Sequence, residues 1–119
     1  MNNMKAYKID SKANLVFEID LPSGKELLKA MQDVVGGYIE HGYFLDSTDE
    51  IQNVIYVDEE GAFKYDYGFS VDGALQPFLG NGLICGLNPN TGEIVDVTFP
   101  LTKIAEILNF GSMLKIGTA

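Results

Sequence analysis

Arginine and tryptophan are absent from this 119-residue chain, and cysteine and histidine occur once each, as Cys85 and His41. Each scarcity excludes something. Arginine supplies the planar fork that grips phosphate and carboxylate with two hydrogen bonds. Without it, and with a formal net charge of −9, direct contact with nucleic acid is not expected, because such affinity comes largely from basic residues at phosphates. A single cysteine makes an internal disulfide impossible and suits a reducing compartment. One Cys and one His cannot complete a structural zinc site. No apolar run approaches the roughly 20 residues of a membrane span, and the opening MNNMKAYKID lacks the apolar stretch of a secretory leader. The expected location is therefore the cytoplasm, away from membranes. No Walker loop, G-x-S-x-G elbow or H-E-x-x-H is present, so neither enzyme activity nor a cofactor is expected.

What the chain does have is acid, concentrated in one block. Residues 1–39 carry equal numbers of acids and lysines. Residues 40–72 carry Glu40, Asp46, Asp49, Glu50, Asp58, Glu59, Glu60, Asp66 and Asp72 against Lys64 alone. That block and its flanks, residues 38–78, hold most of the aromatics: Tyr38, Tyr43, Phe44, Tyr56, Phe63, Tyr65, Tyr67, Phe69 and Phe78. Solvated acidic turns between strands would account for this layout. So would a surface that meets something basic.

The pattern along the chain predicts an α+β domain spanning residues 1–119, with a mainly antiparallel sheet of about six to seven strands and two amphipathic helices. MKAYKI and LVFEIDL form an opening hairpin around DSKAN. In its second strand Leu15, Phe17, Ile19 and Leu21 alternate with Val16, Glu18 and Asp20, the period of a half-buried strand. LPSGKELLKAMQDVVGG then changes period. Ser23 and Glu26 have the spacing of a capping box, and Leu27, Leu28, Met31, Val34 and Val35 make one apolar stripe. Gly36 or Gly37 is expected to end the helix in the left-handed conformation. A phosphate-cradling loop would precede a helix, whereas this pair follows one. YIEHGYFL, NVIYVD and AFKYDYGF read as strands, separated by the turns DSTDE and EEG. SVDGALQPFLGNG is irregular. LICGL, NPNTG and EIVDVTF form a further hairpin, and a last helix runs from Leu101 to Asn109 and is stopped by Gly111. The tail 111–119 is expected to be loose.

The chemistry-bearing residues read as structural. His41 shares strand parity with Ile39, Tyr43 and Leu45, which places it on the core side. Cys85 shares parity with Leu83 and Leu87 in an apolar strand and reads as a small buried hydrophobe. The DEEG run, Asp58 to Gly61, does not have the alternating oxygen ligands and closing glutamate of a calcium loop. No metal site is expected.

Four blocks, MKAYKID, LPSGKELLKAMQDVVGGYIE, IYVDEEGAFK and LICGLNPNTGEIVDV, together resemble a family of small uncharacterised proteins of bacteriophages, plasmids and many bacteria, known only as a domain of unknown function. VGGYIE followed by VDEEG at this spacing is the most specific part. The chain departs from the family pattern where HGYF follows VGGYIE and where YDYGFSVDG replaces a Leu-Pro-x-Asn stretch. The resemblance implies a cytoplasmic protein of phage or mobile-element type in a bacterial host. It implies no catalytic residues.

The leading expectation is a non-enzymatic accessory protein that binds a host protein with a basic surface, acting in counter-defence or host modulation, with mimicry of DNA as its extreme form. The candidate interaction surface comprises Glu40, Tyr43, Asp58, Glu59, Glu60, Tyr65, Asp66 and Tyr67. Self-association is left open. The alternative is a protein that binds or sequesters a nucleotide-like small ligand, with bases stacked on Tyr43, Tyr65 or Tyr67.

Overall fold

The computed structural model describes residues 3–45 and 50–110. The turn expected around Asp46–Asp49 and the tail 111–119, with its Gly111 stop, lie outside the described residues.

The opening hairpin forms as its alternation requires. Strands β1 (Met4–Asp10) and β2 (Leu15–Leu21) pair antiparallel, Met4 opposite Leu21 through Asp10 opposite Leu15. Asn14 takes a left-handed φ of 58° in the connecting turn, a conformation that asparagine tolerates better than most residues. A 3₁₀ turn (Gly24–Glu26) leads into helix α1 (Leu27–Val35), followed by β3 (Ile39–Leu45) and β4 (Gln52–Asp58). Next come a one-turn helix α2 (Gly61–Lys64), β5 (Gly68–Val71), β6 (Phe78–Leu79), β7 (Gly82–Leu87), β8 (Ile94–Val95), α3 (Leu101–Ile107) and β9 (Leu108–Phe110).

The strands make two antiparallel sheets. The larger has the order β2-β1-β7-β4-β3, with β8 extending the β1 side of β7, and the smaller has the order β6-β5-β9. Strands β4 and β7 lie at the centre and are buried on both faces. Val54, Tyr56, Leu83 and Cys85 face one core, closed by Met31 and Val35 of α1. Ile55, Val57 and Ile84 face the other, closed by Phe69 and Val71 of β5, Ile104 of α3 and Leu108 of β9. The result is a three-layer domain: helix, large sheet, then small sheet with α3. Covering both faces explains why IYV and LIC are continuous apolar runs and not alternating ones.

A strap after β8 is tied down by polar groups. The side chain of buried Asn53 accepts hydrogen bonds from the amides of Thr98 (2.9 Å) and Phe99 (3.3 Å) and donates to Thr98 Oγ1 (2.9 Å). Tyr7 Oη donates to the Phe99 carbonyl at 2.7 Å. Buried polar groups need such partners.

Several expectations change. The expected sheet of six to seven strands with two helices is, among the described residues, two sheets with nine strands and three helices. EIVDVTF pairs only at Ile94–Val95. The capping box does not form: Ser23 is extended and makes no side-chain cap bond, because Gly24–Glu26 takes a 3₁₀ turn before α1 begins. AFKYDYGF is not one strand, since residues 61–64 are helical and pairing starts only at Gly68. The last helix stops at Ile107, where the chain joins the small sheet as β9. The parity of β3 also breaks, because a bulge lies between His41 and Tyr43. Ile39 packs against the α1 core while Tyr43 and Leu45 belong with the opposite one. His41 is therefore exposed on the α1 face beside Phe44 and Tyr56, with ring centroids 5.4 and 5.2 Å away.

Candidate functional site

The acidic turn after β4 begins with a carboxylate that is not at the surface. The Asp58 side chain is fully enclosed. Its Oδ2 accepts hydrogen bonds from Lys64 Nζ at 2.6 Å and Tyr65 Oη at 3.1 Å, and its Oδ1 accepts from the Glu60 amide at 2.9 Å. Lys64 Nζ also donates to the carbonyl of Gly36 at 2.7 Å. The C-terminal carbonyls of a helix lack intrahelical donors, and a lysine ammonium there suits the negative end of the helix dipole. One ammonium thus joins the end of α1 to the turn after β4.

The two glycines make this junction fit. Gly36 is the left-handed cap of α1, at φ +94°, so the expected helix stop is Gly36. Gly37 serves a different purpose. A Cβ there would stand 2.7 and 2.8 Å from the Asp58 carboxylate oxygens and 2.8 Å from Lys64 Nζ. VGG and VDEEG-AFKY are therefore two halves of one clamp, which gives a physical reason for their pairing at a set spacing.

Electrostatics follow the geometry. Burial acts to raise the Asp58 carboxyl, but hydrogen bonds from Lys64, Glu60 and Tyr65 and the lysine charge outweigh it, so its pKa lies below the ordinary value. The hydrogen bond to Asp58 is the main cause that raises Lys64, against a smaller opposing effect of desolvation. Burial, then the hydrogen bond to Asp58, raise the Tyr65 phenol. The clamp is thus a charged, hydrogen-bonded structural unit near neutral pH.

Of the sequence-derived surface residues, Asp58 is withdrawn by this finding. Its exposure was expected from the local turn pattern, whereas its burial depends on Lys64 and Gly37. Tyr65 is half-buried, its hydroxyl held in the clamp and its ring 5.4 Å from that of Tyr67. Lys12 lies over the Tyr67 ring at 5.0 Å. Tyr43 is partly buried against the small-sheet core. Glu40, Glu59, Glu60 and Asp66 are exposed. Glu40 and Glu59 line a hollow of about 360 Å³ with Ala62, Pro77 and Phe78. Glu60 borders a second hollow of about 480 Å³ with Asp33 and Tyr38.

Two residues on this face escaped sequence reading. Phe63 is 90 % exposed and Tyr38 is 66 % exposed. AFKYDYGF was expected as a strand, whereas residues 61–64 form a helical turn that leaves Phe63 outward. The Glu59 amide bonds the Tyr38 carbonyl at 2.9 Å, which sets Tyr38 beside the turn.

Cys85 is fully buried, and burial pushes its thiol up to about 12, so thiolate chemistry is suppressed there. Among the described residues, no three His, Cys, Asp or Glu side chains gather to hold a metal ion, and no helix is long and apolar enough to cross a membrane.

No curated protein and no solved structure matches the chain. One family model does, over residues 4–108, which include both halves of the clamp and nearly every element of the two sheets. The chain belongs to the family described as Domain of unknown function (DUF3846).

Proposed function

We propose that this protein is a non-enzymatic binding module that presents the turn around Glu59, Glu60 and Phe63 to a basic surface on a partner protein. The observation that carries this reading is Phe63, 90 % exposed, on a one-turn helix and followed by Lys64 and Tyr65, both hydrogen-bonded to Asp58. A large ring held outward on a rigid support loses little freedom on binding, and aromatic anchors carry much of the energy of interfaces. Exposed Glu59 and Glu60 precede it in the same turn, and exposed Tyr38 and Glu40 lie on the adjoining strand end; these three acids would steer a cationic partner. The resemblance to phage and plasmid proteins adds the setting: a host protein in a bacterial cytoplasm, whose activity is modulated by occupation of its basic surface. The nucleotide-binding alternative has less support, because Tyr65, one of its stacking platforms, is already engaged by Asp58 and packed against Tyr67.

The test is affinity capture from bacterial lysate at low and high salt, followed by association kinetics with the captured protein. Exchange of Glu40, Glu59 and Glu60 to lysine is expected to slow association and flatten its salt dependence, while Phe63→Ala is expected to raise the dissociation rate. Capture and kinetics unchanged in both variants would remove this reading.

A further inference from the structure

On the α1 face lies a groove that the acidic surface does not use. Leu27, Leu28 and Met31 of α1 form one wall, and Ile39, Leu87 and Ile94 of three different strands form the other, around a volume of about 530 Å³. That falls within the roughly 300–1,000 Å³ of small-molecule pockets. In a chain with a net charge of −9, no acid or lysine among the described residues lines it, and among them His41 supplies the only titratable side chain besides Tyr56. Leu28 stays 55 % exposed at the edge although it belongs to the apolar stripe of α1. His41 lies before the bulge at Gly42, on the α1 face with Ile39, and the bulge sends Tyr43 to the other.

The second observation is Tyr56. It is 3 % exposed and borders this groove, and its hydroxyl, itself shielded from solvent, finds no hydrogen-bond partner among the described residues. A buried donor without a partner is costly, and a few placed polar groups in an apolar pocket fix a ligand's orientation.

We propose that the α1 groove is a binding site for an uncharged, mainly apolar small molecule with a single hydrogen-bonding group that meets the Tyr56 hydroxyl. The apolar walls supply affinity by removing ligand surface from water. The lone hydroxyl sets orientation and selects a ligand with one polar atom over a pure hydrocarbon. Charged ligands are disfavoured, because the walls offer no counter-charge. The site stands independently of the acidic interface.

The experiment uses the full chain and N-phenyl-1-naphthylamine, an uncharged fluorescent probe, with 2-naphthol and 2-methylnaphthalene as competitors of nearly equal shape. Saturable binding of one probe per chain is expected. 2-Naphthol should displace it about tenfold better than 2-methylnaphthalene, the factor for one hydrogen bond. Tyr56→Phe should abolish that preference while leaving 2-methylnaphthalene unchanged. Leu28→Glu, at an exposed position where folding is preserved, should weaken probe binding about tenfold or more. Non-saturable binding, a preference that survives in Tyr56→Phe, or full affinity in Leu28→Glu would overturn the proposal. So would a dimer that Leu28→Glu dissociates, since the groove would then be covered by a second copy.

Discussion

Gly37 and Asp58 approach so closely that a single methyl group on the glycine would stand 2.7 Å from a carboxylate oxygen. Twenty-one positions along the chain, the end of a helix and the end of a strand, meet at a contact only glycine permits. Gly36→Ala and Gly37→Ala should therefore both destabilise, for different reasons. The first forces alanine into the left-handed region, at about 1 kcal/mol or more. The second displaces the carboxylate and ammonium, on the order of 1–3 kcal/mol. Urea denaturation checks both, and a double-mutant cycle of Gly37→Ala with Asp58→Asn should show coupling. Additive losses would mean that the glycine does not act through Asp58.

The clamp should shape the acid limb of stability. The folded pKa of Asp58 lies below its ordinary value, so the unfolded chain binds this proton more readily than the native one. Its contribution is present above the unfolded pKa, about 3.9, and is lost as pH falls through the lower folded value. Asp58→Asn should make the fall in stability below about pH 4 shallower by up to one proton equivalent. Chemical denaturation at a series of pH values measures that slope, and an unchanged slope would contradict the clamp electrostatics.

Neighbouring carboxylates should behave differently. Glu59→Lys and Glu60→Lys replace exposed charges and should shift stability by no more than about 0.5 kcal/mol. Asp58→Lys sets a second ammonium beside Lys64 inside an enclosed site and should cost several-fold more, on the order of 3 kcal/mol. Thermal unfolding of the three variants separates them.

Tyr56→Phe removes a buried hydroxyl with no partner among the described residues. The ring packing is kept, so stability should be unchanged or raised by up to about 1 kcal/mol. A clear loss in urea denaturation would reveal a hydrogen bond to that hydroxyl.

Ser23→Ala should be nearly silent, within about 0.5 kcal/mol, because Ser23 makes no cap bond. A loss near the 1 kcal/mol of a true N-cap would show that the cap forms in solution.

Local patterning by itself determined the opening hairpin, α1 with its glycine stop, the existence of strands β4 and β7, and the acidic block. Each depends on residues a few positions apart, where periodicity and turn chemistry act directly. The burial of Asp58 was not legible, because a carboxylate after a strand looks the same whether solvent or a lysine meets it. Its fate rests on Gly36, Gly37, Lys64 and Tyr65 converging from two separate segments. Nor was the reversal at Gly42 legible, since a bulge exists only relative to a partner strand, and one extra residue moves every later side chain to the opposite face. That reversal sends Tyr43 and Leu45 to the core opposite α1, while the helical turn at 61–64 turns Phe63 outward. Periodicity records which residues must be covered. Only strand pairing and packing across the three layers decide what covers them, and so where the two candidate surfaces lie.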